Sequence, residues 1–265
     1  VGRAIIIDDR DDPRIAAYQD VRERDLVGRD GCFVAEGEVV LRVLLAGAHF
    51  AAQSLLIAES RIDGLGELLA RVPDNVPVYA ARGPVMDAIV GFHIHRGILA
   101  IGRRGPMPPA ADLLASLPPR ALVLGLVGIA NHDNMGGIFR NAAAFGADAV
   151  FLDETCCDPL YRKAIRVSVG GCLKVPFARG GDGLNLIGTV QEAGFTTYAL
   201  SPAGRDDLKQ LERPARAALV LGAEGPGLPD EVLAKARTVR IAMAGGFDSL
   251  NVATSSGIAL HAFTS

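Results

Sequence analysis

From Ala121 onward the chain alternates short apolar runs with stretches of helical length, and no other feature of the sequence constrains its fold as strongly. Strand-like runs recur at 121–127, 149–152, 174–176, 196–200, 218–221 and 239–241. Helices fit between and after them, at about 135–145, 157–169, 183–193, 230–236 and 251–262. Strands joined through helices run parallel, and a parallel sheet is covered on both faces, so its strands are apolar throughout. The pattern predicts an α/β domain on a mostly parallel sheet.

Three Gly/Asn-rich blocks interrupt this pattern just after a strand or at a helix start, where chains build ligand sites. They read NHDNMGGIFRNAAAFG (131–146), LVLGAEGPGLP (219–229) and FDSLNVATSSGIAL (247–260). In the first, Asn134 is placed to cap a helix that stops at Gly146, and Arg140 lies inside that helix. In the second, a buried strand empties into Gly222-Ala223-Glu224-Gly225-Pro226-Gly227, whose glycines permit close backbone approach. Its spacing matches neither the dinucleotide fingerprint nor the P-loop, and taken alone it reads as a tight turn. In the third, Ser249-Leu250-Asn251 opens a helix; a cap explains one of the two polar residues but hardly both.

The N-terminal half alternates too. An amphipathic helix is expected over 13–30, with Ile15, Tyr18, Val21 and Leu26 on one face. Strands at 32–35, 54–57, 76–79 and 97–101, with helices at 39–46, 66–71 and 84–90, make a small α/β sandwich. Residues 102–120 hold five prolines and form the clearest linker. Three segments are therefore expected: a domain over 1–105, a Pro-rich linker over 106–119 and a second domain over 120–265.

Composition narrows the function. The net charge of −3 splits into about −2 and −1 on either side of residue 108, so there is no overall basic signal for nucleic acid. A local patch can still bind RNA while the total stays acidic. The longest apolar stretch, from Ala121 to Ala130, is broken by glycines and too short for a bilayer. The run Ala4–Ile7 stops at Asp8-Asp9, short of a signal-peptide core, so a cytoplasmic location is expected. The four cysteines lack metal-finger spacing, and reduced, partly buried thiols are expected. His93-x-His95 lacks a third ligand, and no metal is expected.

Taken in order, the blocks identify a resemblance. The segments NMGGIFRNAAAFG, LVLGAEGPGL and SLNVATSSGI resemble the three motifs of the SpoU (TrmH-like) branch of the SPOUT RNA methyltransferases. Ser168-Val169-Gly170-Gly171 with Val175-Pro176 is similar to the family's connecting pattern. DPRI at 12–15, FVAEG at 33–37 and Gly97–Ala100 are more loosely similar to its L30e-like substrate-binding domain.

The resemblance implies transfer of methyl from S-adenosylmethionine to a ribose 2′-hydroxyl of RNA, with rRNA favoured over tRNA by analogy. It implies a catalytic pocket of Asn134, Arg140, Glu224, Ser249 and Asn251, with Gly222, Ile241 and Leu250 on the cofactor. It also implies a homodimer whose active site borrows from both subunits, and a C-terminal trefoil knot. Because guanidinium stays protonated, Arg140 is assigned chiefly to orienting and electrostatic work, with proton acceptance left open.

The sequence departs from the family at His132, Asn141, Ala253 and His261, where proline, threonine, serine and tyrosine are usual. Two rivals remain. One is a catalytically silent RNA-binding protein on the same scaffold. The other is a Rossmann-type NAD-dependent oxidoreductase with Asp153 on a ribose, which the absent glycine fingerprint disfavours.

Overall fold

The computed structural model describes residues 4–19, 31–90, 97–245 and 249–264. The chain divides into two compact units, Val1–Pro106 with Leu160–Lys174, and Met107–Pro159 with Val175–Ser265.

The first unit carries a five-stranded sheet. Its strands are β1 (Ala4–Ile7), β2 (Cys32–Glu36), β3 (Phe50–Ala58), β4 (Val78–Ala81) and β5 (Ile98–Arg104), in the order β1-β4-β3-β5-β2. β1, β4 and β3 are parallel, whereas β5 runs antiparallel to both β3 and β2. Helix α1 (Glu38–Ala46) follows β2 and buries Val40, Leu41 and Leu44, the stripe that a helical period of 3.6 directs inward. Helices α2 (Gly66–Leu69) and α3 (Gly83–Val90) complete the connections between strands.

The expected helix over 13–30 is, within the described residues, a 3₁₀ segment at Pro13–Tyr18 capped by the Asp12 carboxylate. Its Ile15 and Tyr18 are buried, and the Tyr18 hydroxyl pairs with Ser54 Oγ at 2.7 Å. Val21, Leu26, His93 and His95 lie outside the described residues.

The helix expected over 157–169 is shorter, α6 (Arg162–Val167), and after a break a second short helix, α7 (Gly171–Lys174), follows beyond its expected end; both belong to the first unit and are numbered after the two helices that precede them in the second. The break has a local cause. Val169 and Gly170 both take left-handed φ (53° and 84°), and Ser168 accepts from Cys172 N while donating to Ile165 O.

The second unit is built on a seven-stranded sheet. In chain order its elements are α4 (Ala110–Ser116), β6 (Ala121–Leu126), α5 (His132–Phe145), β7 (Ala149–Leu152), β8 (Phe177–Arg179), α8 (Gly183–Glu192), β9 (Thr196–Leu200), β10 (Asp206–Asp207), β11 (Arg216–Leu221), α9 (Asp230–Lys235), β12 (Arg237–Arg240) and α10 (Val252–Thr264). The order across the sheet is β10-β12-β9-β11-β6-β7-β8, and each pairing is parallel. β6 and β7 are buried along their whole length, as their apolar sequences require. The strand expected over 174–176 begins later, at Phe177: Lys174 still belongs to α7, and Pro176 has no N–H to give the ladder. Its carbonyl nevertheless accepts from Val150 N at 2.9 Å.

Helix α10 lies directly on α5. A Cβ at Gly137 would come within 2.7 Å of Ala253 Cβ, so glycine at that position allows the approach. Asn141 Nδ2 donates to Ala253 O (2.7 Å) and Ser256 Oγ (3.0 Å), and the His261 ring packs edge-on against Phe145. Three of the departures from the family pattern thus lie at this helix pair. Among the described residues no helix is long and apolar enough to cross a membrane.

Candidate active site

The sheet order sets β12, β9 and β11 side by side and parallel, so their carboxyl ends open along one edge. Open α/β sheets bind ligands at that edge. Leu200-Ser201-Pro202 after β9, Gly222–Gly227 after β11 and Ile241–Met243 after β12 surround a cavity of about 380 Å³, with 249–252 and Ser255 completing its wall. That volume lies within the range of small-molecule sites. Leu200, Leu221, Val239, Ile241 and Leu250 make the lining largely apolar, and Ser201, Glu224, Ser249, Asn251 and Ser255 supply its polar side chains.

The second block is a tight turn and a cavity wall at once. Gly227 N donates to Ala223 O at 3.0 Å, and Gly225 and Gly227 take left-handed φ of 86° and 72°. A Cβ at Gly222 would sit 2.4 Å from the carbonyl carbon of Gly227 and 2.5 Å from Leu228 N. Only glycine lets the loop fold back across the end of β11.

Asn251 joins the three blocks. Its Oδ1 accepts from Ala253 N (2.9 Å) and Thr254 N (3.2 Å), which caps α10. Its Nδ2 donates to Asn134 Oδ1 (2.8 Å) and to Glu224 Oε1 (2.6 Å). The backbone donors on one side and the carboxylate on the other fix which end of the amide is oxygen. Both donor hydrogens and both acceptor positions are therefore engaged, so Asn251 acts by holding its neighbours in place. Asn134 is buried, whereas Glu224 and Ser249 are exposed at the rim.

The cap expected of Asn134 belongs instead to Asn131, whose Oδ1 accepts from Asp133 N (2.8 Å) and Asn134 N (3.3 Å). The helix accordingly starts at His132, three residues earlier than the apolar pattern suggested, and Asn134 is freed to meet Asn251.

Six of the eight residues singled out from the sequence line the cavity: Gly222, Glu224, Ile241, Ser249, Leu250 and Asn251. Asn134 reaches it through Asn251. Arg140 does not line it. Six residues beyond Asn134 on α5, it faces away from Asn134 and is exposed. Leu200, Ser201, Pro202 and Met243 escaped the sequence reading because their contribution depends on which strands are neighbours.

Asp153 is not available to hold a ribose. It is buried, and its carboxylate accepts from the backbone N–H of Gly128, Thr155 and Cys156 and from the Thr155 hydroxyl. It pins the loops after β6 and β7, which removes the structural basis of the oxidoreductase reading. The four cysteines are free thiols. Burial pushes the Cys156 thiol well up and Cys157 up to about 11, so both stay protonated near neutrality. No group of three or more metal-ligating side chains occurs among the described residues.

Known proteins agree with this architecture. Residues 121–261 match the SpoU rRNA Methylase family. A Mycobacterium bovis protein described as an uncharacterized tRNA/rRNA methyltransferase is 40% identical over 263 residues, 96% of this chain and 89% of its own length. Among solved structures, an AdoMet-bound rRNA methyltransferase from Sinorhizobium meliloti superposes with a TM-score of 0.82 at 23% identity, covering 98% of this chain and 97% of that one. The SpoU methyltransferase AviRb from Streptomyces viridochromogenes, in complex with AdoMet, gives 0.80 at 21% identity, covering 94% and 96%. With the family matched over residues 121–261, more than half of the chain, and a relative aligned along nearly its full length, this protein belongs to the SpoU rRNA methylase family.

Proposed function

We propose that this protein methylates the 2′-hydroxyl of a ribose in structured RNA, rRNA in preference to tRNA, with S-adenosylmethionine as methyl donor. The observation that carries the reading is the Asn251 amide, which ties Asn134 and Glu224 together beside a cavity at the carboxyl ends of three parallel strands. A solved neighbour titled an RNA 2′-O ribose methyltransferase has a TM-score of 0.78 and shares the fold at 23% identity.

The residues present suit the cofactor. The apolar walls fit an adenine and the aliphatic part of a methionyl chain, the glycine turn brings backbone groups to the cavity, and about 380 Å³ accommodates a ligand of that class. Gly222, Ile241 and Leu250 would hold it, and bound S-adenosylmethionine supplies a methyl already activated on a sulfonium. The protein's work is then alignment of the acceptor oxygen and control of its proton. Ser249 and Glu224, exposed at the rim, are the groups that meet the ribose, while Asn251 and Asn134 fix the Glu224 carboxylate.

Arg140 enters this scheme from a second copy of the chain. It is exposed on α5 and has no hydrogen bond or ion pair among the described residues, which suits a guanidinium that reaches a partner subunit's site and binds RNA phosphate there. The homodimer and the knotted C-terminal segment belong to this same reading.

Labelled S-adenosylmethionine with purified protein and unmodified rRNA or tRNA tests it. Label in rRNA is expected. Transfer to neither RNA overturns the reading in favour of a silent binder.

A further inference from the structure

An RNA partner is a polyanion, yet the chain carries a net charge of −3. The segment Leu160–Lys174 is locally basic. It contains Arg162, Lys163, Arg166 and Lys174 and no acidic residue, and it is part of the first unit.

It is seated there by defined contacts. Arg162 Nη2 meets Glu36 Oε2 at 2.7 Å, with both side chains largely buried (18% and 9% exposed). Gly170 approaches α1 so closely that a Cβ would sit 3.1 Å from Val43 Cβ. On α1 itself, Glu38 accepts from Arg42 at 2.9 Å and faces Arg61 at 3.5 Å, two cations to one carboxylate. Arg162 thus pairs with Glu36 while Arg42 and Arg61 share Glu38, and Lys163, Arg166 and Lys174 of the same unit are exposed.

We infer that this composite face, α1 with α6 and α7, is where the first unit grips the phosphate backbone of the RNA substrate. The inference rests on the RNA methyltransferase reading above. Lysine and arginine on a rigid seat neutralise phosphates and displace condensed counterions, which makes affinity fall steeply with salt. The buried Glu36–Arg162 pair is a positioning element: it holds the segment in place so that its remaining cations face outward.

The test is a salt series of filter-binding measurements with the intact protein and an unmodified rRNA transcript. In the triple variant Lys163→Gln, Arg166→Gln, Lys174→Gln, the slope of log affinity against log salt should fall by about 2, at 0.7–0.9 per lost phosphate contact. Affinity should drop roughly tenfold or more, the loss appearing in KM for RNA rather than in kcat. The charge-keeping variant Lys163→Arg, Arg166→Lys, Lys174→Arg should retain the wild-type slope. Thermal melting and S-adenosylmethionine affinity check that each variant is folded. An unchanged slope in a folded triple variant that still methylates RNA overturns this face and leaves the enzymatic reading standing. Wild-type protein that binds no RNA overturns both.

Discussion

Replacing Asn251 in two different ways separates its roles. In Asn251→Ala, α10 loses the cap on Ala253 and Thr254, worth about 1 kcal/mol. The buried Asn134 carbonyl also loses its donor, which costs about 1–2 kcal/mol more. Against a typical total of roughly 5–15 kcal/mol, a loss of about 2–3 is readily measured by thermal or urea unfolding. Asn251→Asp keeps the capping oxygen and adds a favourable charge at the helix start, so its stability should fall by only about 1 kcal/mol. It removes both amide hydrogens, however, and puts a carboxylate where Glu224 Oε1 lay 2.6 Å from a donor. Glu224 is then repelled from its position, and transfer of labelled methyl should fall about a hundredfold, roughly 2.7 kcal/mol of barrier, in both variants. If Asn251→Asp transfers methyl at the wild-type rate while Asn251→Ala does not, Asn251 is a helix cap alone and the proposed link to Glu224 is wrong.

Three further outcomes are expected. Gly222→Ala drives a methyl into the Gly227–Leu228 backbone and should destabilise the protein by about 1–3 kcal/mol, with weaker S-adenosylmethionine binding by calorimetry; unaltered binding would remove the turn from the cofactor site. Arg140→Ala should abolish transfer but leave cofactor affinity intact. Equal mixing with inactive Asn251→Asp should then restore about a quarter of wild-type sites if each site of a symmetric dimer uses Arg140 of one copy and Asn251 of the other, whereas no recovery points to a site within one chain. Alkylation of Cys157 by iodoacetamide at neutral pH should run about two orders of magnitude slower than for a free thiol and rise about tenfold per pH unit, because desolvation holds its pKa up to about 11. A rate matching free cysteine would show that the thiol is not desolvated.

The parallel sheet was legible because its central strands are buried on both faces and therefore apolar at every position, as in Leu122-Val123-Leu124. β10, by contrast, is Asp206-Asp207 at a sheet edge; it is held to β12 by backbone pairing and by the Asp206–Arg237 ion pair, and leaves no apolar trace. The three blocks pointed to the sheet edge where the cavity lies, since glycine and asparagine mark backbone that must turn or be capped. Leu200, Ser201 and Pro202 could not be found in the same way, because β9 enters the cavity wall only once the order β12-β9-β11 is known, and that order is not sequential. The double use of Asn251 was hidden for a related reason: its partners lie 117 and 27 residues away. The helix expected over 157–169 ends close to where Val169, at φ 53°, stops it, but it starts five residues later, at Arg162, past Pro159, which disfavours helical backbone in the residue before it. The basic character of Leu160–Lys174 was visible in the sequence, but its seat on β2 and α1 depends on the Glu36–Arg162 pair, 126 residues apart.

In the proposed reaction the methyl group goes to a ribose oxygen. Unmodified rRNA labelled by the protein from S-adenosylmethionine, then digested completely to nucleosides and separated by mass spectrometry, addresses it directly. The label is expected on a single 2′-O-methylated nucleoside, whose 3′ linkage in the undigested RNA resists alkaline cleavage. Label carried by a base, with the ribose unmodified, would contradict it.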